Sequence, residues 1–148
     1  MNIYTMGNKS KIFIDSNFFI ALFNPVDGLN KAATKLSKLM EAENFQICVT
    51  NLILAEVVTV LSLRAGREIA IDAGRDLLSI HNFIYIDAFL SKKTWEIFQK
   101  IEKKNVGFVD CSILAVMESE SIDYLLTFDV TDFRSLQKPF KFKLYPLD

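Results

Sequence analysis

The stretch Lys11-Ile-Phe-Ile-Asp-Ser-Asn-Phe-Phe-Ile20 decides the fold of this chain. Its first residues favour a strand that leads into Asp15, and the apolar turn of a helix begins directly afterwards. In α/β folds, ligands bind at the edge of the sheet where the strands end. We therefore expect Asp15 to place a carboxylate at the ligand-binding edge of a sheet.

The rest of the chain alternates between strand-like and helix-like segments. Residues 1–10 are expected to be a loose lead-in and residues 129–134 a turn. Strands are predicted at 11–15, 45–49, 83–86, 123–128 and 140–144, and helices at 18–23, 29–43, 52–63, 67–80, 91–104 and 108–119. Because strands joined by helices form right-handed crossovers, the pattern predicts a three-layer α/β/α fold with a mainly parallel five-stranded sheet. The length of 148 residues favours a single domain, residues 1–148.

Apolar patterning predicts which surfaces are covered. Helix 52–63 is apolar nearly all round and is expected to be mostly buried. Trp95 and Phe98 fall on the expected buried stripe of helix 91–104, which favours a place in the core over a surface on which bases stack. Thirteen phenylalanines, three of them within 18–23, leave room for a face that a second copy or a partner protein covers.

Charge and composition limit the partners. A net charge of −1 gives no overall attraction to nucleic acid, so contact with RNA must rest on a local patch. Basic residues that flank the helices are candidate phosphate contacts, although a solvated helix face explains each of them more simply; they are Arg64, Arg67, Lys92, Lys93, Lys100, Lys103 and Lys104. No apolar run approaches the roughly 18 residues that a membrane span requires.

Two cysteines indicate the compartment. Cys48 and Cys111 lie in apolar runs and match no metal-ligand spacing. We expect them to be buried free thiols in a reducing compartment, which favours a cytoplasmic location.

Four carboxylates lie where such a fold could bring them together. Asp15 follows the first strand, Asp110 opens helix 108–119, Asp129 follows the fourth strand, and Glu56 lies within the most apolar helix. Each has an ordinary structural explanation: Asp15 and Asp110 suit helix caps, Asp129 suits a turn, and Glu56 suits a narrow polar stripe.

Taken together, the four acids favour a metal site. Two carboxylates roughly 5 Å apart repel by about 3 kcal/mol at an effective dielectric constant near 20, so a cluster destabilises a fold unless a cation binds there. Mg²⁺ and Mn²⁺ prefer oxygen ligands. Such a metal activates a water molecule and neutralises charge that develops on a phosphodiester. His81, the only histidine, precedes a strand and is poorly placed to act as the base.

Four short segments follow one another in a distinctive order. They are Phe13-Ile-Asp-Ser-Asn17, Thr50-Asn-Leu-Ile-Leu-Ala-Glu-Val57, Phe108-Val-Asp-Cys-Ser-Ile-Leu-Ala115 and Leu126-Thr-Phe-Asp129, with Asp132-Phe133 close behind. This series resembles PIN-domain nucleases, in particular the small single-domain VapC toxins of toxin–antitoxin pairs. The resemblance extends from about Lys11 to Tyr145.

The resemblance implies metal-dependent endonucleolytic cleavage of RNA at an acidic site that binds one or two Mg²⁺ or Mn²⁺ ions. By position, the family's catalytic and metal-binding acids correspond to Asp15, Glu56, Asp110 and Asp129. It also implies a homodimer and a small antitoxin protein that blocks the nuclease.

Further positions either match the family pattern or depart from it. Asn17 corresponds to a polar residue that supports the site, and Thr127 to the hydroxyl residue before the last acid. Asp132 competes with Asp129 for the fourth acidic position. Asn30 stands where family members often have a histidine.

Other functions fit the residues less well. A haloacid-dehalogenase-type phosphatase needs a second aspartate where this chain has Asn17. A phospho-accepting receiver domain needs paired acids after the first strand and a lysine after the last, and this order does not supply them. The main alternative is a catalytically inactive PIN-like module that binds RNA or protein.

Overall fold

The computed structural model describes residues 9–146, so the predicted lead-in at residues 1–10 lies outside the described residues apart from its last two positions. Within the described range, the strands are β1 (Lys11–Ile14), β2 (Gln46–Thr50), β3 (Asn82–Ile84), β4 (Tyr124–Leu126) and β5 (Lys143–Leu144). The helices are α1 (Ser16–Phe23), α2 (Asn30–Glu43), α3 (Asn51–Arg64), α4 (Arg67–Leu78), α5 (Ala88–Lys100), α6 (Phe108–Ser119), α7 (Val130–Arg134) and α8 (Gln137–Phe140).

The strands form one five-stranded sheet in the order β3-β2-β1-β4-β5, and every pairing is parallel. At its centre, Ile12, Phe13 and Ile14 of β1 are at most 1% exposed. Because successive side chains of a strand point to opposite faces, both faces of the sheet are covered. The predicted three-layer α/β/α architecture is therefore confirmed. None of the helices in residues 9–146 is long and apolar enough to cross a membrane.

The order of the strands reverses at β1. The chain runs outward from β1 to β2 and β3, and then crosses back to β4 and β5 on the other side. In open α/β sheets, the crevice beyond the strand ends at such a reversal is the usual ligand site. Asp15 and Thr127 follow β1 and β4 on the two sides of this crevice, and the Asp15 amide donates to the Leu126 carbonyl at 2.9 Å.

Helix α3 is less buried than its composition suggests. Only one row of side chains, Ile53, Val57 and Leu61, is buried, and Leu63 is 84% exposed. The neighbours α1, α4 and β2 meet only part of the circumference of this helix. The expectation that α3 is mostly buried is wrong.

Helix α5 also differs from the prediction. Asp87 caps it, since its Oδ1 accepts a hydrogen bond from the Leu90 amide at 2.9 Å, so the helix starts at Ala88. The buried side chains of α5 are Leu90 and Thr94. The predicted core residues Trp95 and Phe98 are 53% and 38% exposed, because α6 covers a different face of the helix.

Three smaller differences concern the ends of elements and the aromatic cluster. Residues 130–134 form α7, with Asp129 as its N-cap, rather than a turn, and the last predicted strand is reduced to β5 because α8 extends through Phe140. Phe18 and Phe19 are buried in the core, so they offer no face to a partner. Cys48 and Cys111 are buried free thiols, as predicted.

Asn30 connects the first two helices. Its Nδ2 donates to the carbonyls of Ala21 and Leu22, at 2.8 and 3.1 Å, where α1 ends without helical partners for these groups. The side chain at this position therefore serves as a structural cap for α1.

We expect Asn30→Ala to lower the free energy of unfolding by about 1–2 kcal/mol, because two partly buried carbonyls lose their donor. Chemical denaturation measures the effect. Asn105→Ala, the same change at an exposed loop position, is the matched control and should change stability by less than about 0.5 kcal/mol. Equal effects in the two variants would contradict the capping role.

Candidate active site

Asp15 is the buried centre of the candidate site. It is 3% exposed and forms the N-cap of α1, where its Oδ1 accepts a hydrogen bond from the Ser16 amide at 2.7 Å. Its Oδ2 accepts from the Thr127 hydroxyl at 2.8 Å. Asp15 thus caps α1 through one oxygen while Thr127 holds the other, and its role in a metal site stays a prediction.

Thr127 links the two sides of the crevice through all three hydrogen bonds that a hydroxyl can form. It donates to Asp15 and accepts from the Asn17 side-chain amide at 3.3 Å and from the Asp129 backbone amide at 3.0 Å. Asn17 in turn accepts from the Phe128 amide at 3.1 Å through its Oδ1. These bonds fix the segment between β4 and α7 against the start of α1.

Asp110 is half-buried in the first turn of α6. Its Oδ2 accepts a hydrogen bond from the Gly107 amide at 2.9 Å, so the carboxylate turns back towards the start of the helix. An acid in the first turn of a helix is also stabilised by the helix dipole. Asp110 therefore caps α6 while its charge remains near the other acids.

Burial and mutual repulsion act on the carboxylates together. Desolvation raises the pKa of Asp15 from 3.8 to about 7, and the charges of Asp110 and Asp129 add to the rise, while hydrogen bonds from Thr127 and Ser16 oppose it. Desolvation also raises the pKa of Asp110, with further repulsion from three acids and an opposing hydrogen bond from the Gly107 amide; those acids are Asp129, Glu56 and Asp132. The predicted acids thus lie close enough to influence one another.

Glu56 and Asp129 are more exposed to solvent than Asp15 and Asp110. Both are exposed, although the residues on either side of Glu56 in α3 are apolar. The buried row of α3 lies on another part of the helix surface. Asp129 raises the pKa of both Asp15 and Asp110, whereas Asp132 is a cause of the rise only at Asp110.

Two of the predicted basic residues lie far from the acids. Lys93 forms an ion pair with Glu118 at 3.2 Å, eight residues beyond Asp110 and therefore roughly 12 Å along α6. Arg64 lies equally far along α3 from Glu56. These two residues are remote from the acids.

Lys103 is the basic residue with a direct link to the acidic segment. Its Nζ donates to the carbonyls of Thr131 and Asp132, at 3.3 and 3.2 Å, and so joins the loop before α6 to α7. Sequence patterns predicted a phosphate contact here and contained no signal for this bond, because it depends on the tertiary arrangement.

The acids fit a hard divalent cation in their chemistry, since all of them offer oxygen ligands. In the described part of the chain, no three Asp, Glu, His or Cys side chains are arranged closely enough to hold a metal ion. The charges of Asp110 and Asp129 act on Asp15, and those of Asp129, Glu56 and Asp132 act on Asp110, so these carboxylates lie within electrostatic reach of one another.

Asp15 makes the stability of the fold depend on pH. Its pKa in the folded state lies above that in the unfolded state, so its favourable contribution is fully present below pH 3.8 and is lost as the pH rises through about 7. The burial of its charge at higher pH costs on the order of 4 kcal/mol.

We expect Asp15→Asn to unfold at a higher temperature than the unmodified protein at pH 8 in EDTA, because the variant has no charge to bury. The difference should shrink as the pH falls to 5, where the unmodified protein regains its proton. Thermal unfolding followed by circular dichroism measures it. Asp72→Asn, at an exposed position on α4, is the control. Parallel pH profiles for the protein and Asp15→Asn would contradict this account.

Comparison with known proteins agrees with this geometry. The PIN domain family model matches residues 12–139. The protein named 23S rRNA-specific endonuclease VapC20, from Mycobacterium tuberculosis strains CDC 1551 / Oshkosh and ATCC 25618 / H37Rv, is 29% identical over 119 residues, which cover 80% of this chain and 88% of that protein.

Solved structures extend the likeness to three dimensions. The crystal structure of M. tuberculosis VapC20, described as a sarcin-ricin loop cleaving toxin, matches with a TM-score of 0.74 and 27% identity over 85% of this chain and 95% of that chain. VapBC2 from Rickettsia felis, bound to a promoter DNA fragment, matches with a TM-score of 0.62 and 20% identity over 84% and 91% of the two chains, and supports the fold alone. The family model spans the sheet from β1 to β4 and the helices that position the acids, and the chain therefore belongs to the PIN-domain family of ribonucleases and resembles its VapC-type toxins.

Proposed function

We propose that this protein is a metal-dependent endoribonuclease and the toxin of a toxin–antitoxin pair. The observation that carries the proposal is the convergence of Asp15, Asp110 and Asp129 at the reversal of strand order, where Asp110 and Asp129 raise the pKa of Asp15 and Asp129 also raises that of Asp110. A fold gains no stability from such repulsion, so the arrangement favours a functional site.

In the proposed site, Asp15, Asp110, Asp129 and Glu56 hold one or two Mg²⁺ or Mn²⁺ ions. The bound metal supplies a polarised water molecule and neutralises charge on the phosphodiester. Asp15 is the fixed ligand, because Thr127 and the Ser16 amide orient both of its oxygens.

The exposed acids and their support have different roles. Glu56 and Asp129 are exposed and adjust to the metal and the RNA. Asn17 and Thr127 touch neither RNA nor metal; they keep Asp129 at a set position relative to Asp15.

The relatives suggest a substrate and partners. VapC20 is named for cleavage of 23S rRNA, which supports a structured ribosomal RNA loop as the substrate of this chain. The VapC20 structure is described as that of a toxin, which supports a small antitoxin as the partner of this chain. We further propose that residues 1–148 form one domain, that the protein is a homodimer and that it acts in the cytoplasm.

An apolar face between α3 and α4 is available for partner contacts. Ile71 and Leu78 on this face are 45% and 55% exposed, and they line a groove with Leu54, Val58 and Gly74. An exposed apolar groove of this kind suits an interface with another protein.

We expect the purified protein to cleave structured RNA with Mn²⁺ and not with EDTA, and Asp110→Asn to lose at least about 100-fold in rate, because the charge that attracts the cation is removed. Gel analysis of cleavage products measures the rate, and Asp72→Asn should retain it. Because Asp110 also caps α6, thermal unfolding must show that the variant is folded. Cleavage equal in the presence of Mn²⁺, with EDTA and in the variant would contradict the proposal. Metal-independent RNA binding without cleavage would instead support the inactive binding module.

Asp129→Asn and Asp132→Asn form a matched pair that identifies the fourth acid. We expect Asp129→Asn to raise the Mn²⁺ concentration that gives half-maximal cleavage by about tenfold or more, because Asp129 acts on both central carboxylates. Asp132→Asn should have a smaller effect. Titration of Mn²⁺ at fixed RNA concentration measures both, and the opposite order would assign the position to Asp132.

A further inference from the structure

Three exposed aromatic side chains, Trp95, Phe98 and Phe108, form a continuous row on α5 and the start of α6. The ring centroids of Trp95 and Phe98 are 5.8 Å apart with an interplanar angle of 26°, and those of Phe98 and Phe108 are 6.1 Å apart at 72°. The three residues are 53%, 38% and 40% exposed. We call this set the aromatic row.

The aromatic row begins at the first residue of α6, in the same helical turn that carries Asp110. Phe108 is the first residue of α6, and Asp110 lies two positions further on. The Asp110 carboxylate turns back to accept a hydrogen bond from the Gly107 amide, directly before Phe108. The row therefore extends from the start of α6 along the exposed side of α5.

The surrounding charge favours an anionic ligand. Residues 88–107 contain five lysines and two glutamates, a net charge of +3 on a chain whose total is −1. Lys92 lies three residues before Trp95 and therefore on a neighbouring part of the same helix face. The segment that carries most of the aromatic row thus differs in sign of charge from the protein as a whole.

Exposed rings among lysines suit nucleic acid better than a second protein. The cores of protein interfaces are depleted in lysine, whereas proteins that bind single-stranded RNA combine cationic residues with aromatic rings on which bases stack. In structured RNA, the bases that can stack in this way are the unpaired ones of loops and bulges.

We propose that the aromatic row is a stacking platform for unpaired nucleotides of the RNA that the acidic site cleaves, with Lys92, Lys100 and Lys104 against its phosphates. This inference rests on the proposed nuclease function and names the surface that binds the substrate next to the scissile bond. Trp95 and Phe98 contribute to affinity, and the acids perform the chemistry.

Trp95 is the only tryptophan, so its fluorescence reports directly on the platform. The Asp110→Asn variant, in EDTA to prevent cleavage, is titrated with a single-stranded RNA decamer. We expect saturable quenching of the emission, because a base stacks on the indole, and no quenching with an abasic oligonucleotide of the same length. If RNA does not change the emission of Trp95, the proposal is overturned, whether or not the unmodified protein cleaves RNA.

Substitutions in the otherwise unmodified protein test the same surface with Mn²⁺ present. We expect Trp95→Ala to raise the KM for RNA by roughly 5- to 100-fold, with little change in kcat, and Trp95→Phe to restore most of the affinity. Phe89→Ala is the matched control. Phe89 is 69% exposed on the same helix, but it lies on the side of the helix opposite to Phe98.

The outcomes separate this inference from the proposed function. Loss of cleavage in Asp110→Asn tests the nuclease alone, and KM values for Trp95→Ala and Phe89→Ala that do not differ overturn the platform alone. Analytical ultracentrifugation of Trp95→Ala tests whether a second copy of the chain covers the aromatic row instead. If the variant is monomeric where the unmodified protein is dimeric, and RNA affinity is lost only together with the dimer, the aromatic row is a protein interface. That result overturns the proposal.

Discussion

The structure depends on a carboxylate that is buried where β1 ends. Asp15 loses its hydration there, and the Thr127 hydroxyl and the Ser16 amide replace only part of it. The pKa of Asp15 rises to about 7 as a result. A buried acid that is only partly compensated destabilises the fold and, for the same reason, attracts a cation. Stability and the proposed function therefore compete at a single side chain.

The surrounding architecture makes this position possible. Because the strand order reverses at β1, the chain leaves a crevice between the ends of β1 and β4, and α1 starts there with Asp15 as its N-cap. Asp15 and Asp110 each accept a backbone hydrogen bond at the start of their helices. The ordinary capping function and the acidic site thus use the same residues, and neither interpretation excludes the other.

The sheet and the grouping of Asp15, Asp110 and Asp129 were predictable from sequence, because buried parallel strands are continuous apolar runs and the acids lie next to the ends of elements. The exposure of Trp95 and Glu56 was not. A helical pattern shows which side chains share a face, but the neighbours that cover that face are determined by the tertiary packing. The Lys103 bond to α7 was unpredictable for the same reason.

The hydrogen bond between Thr127 and Asp15 joins residues 112 positions apart. During synthesis on the ribosome, the amino-terminal half of the site therefore exists long before its partner, and the crevice cannot close until β4 and the start of α7 have been made. A nascent chain that has not yet reached β4 lacks Thr127 and Asp129, so the order of the strands itself delays assembly of the acidic group until β4 and the residues after it have been made.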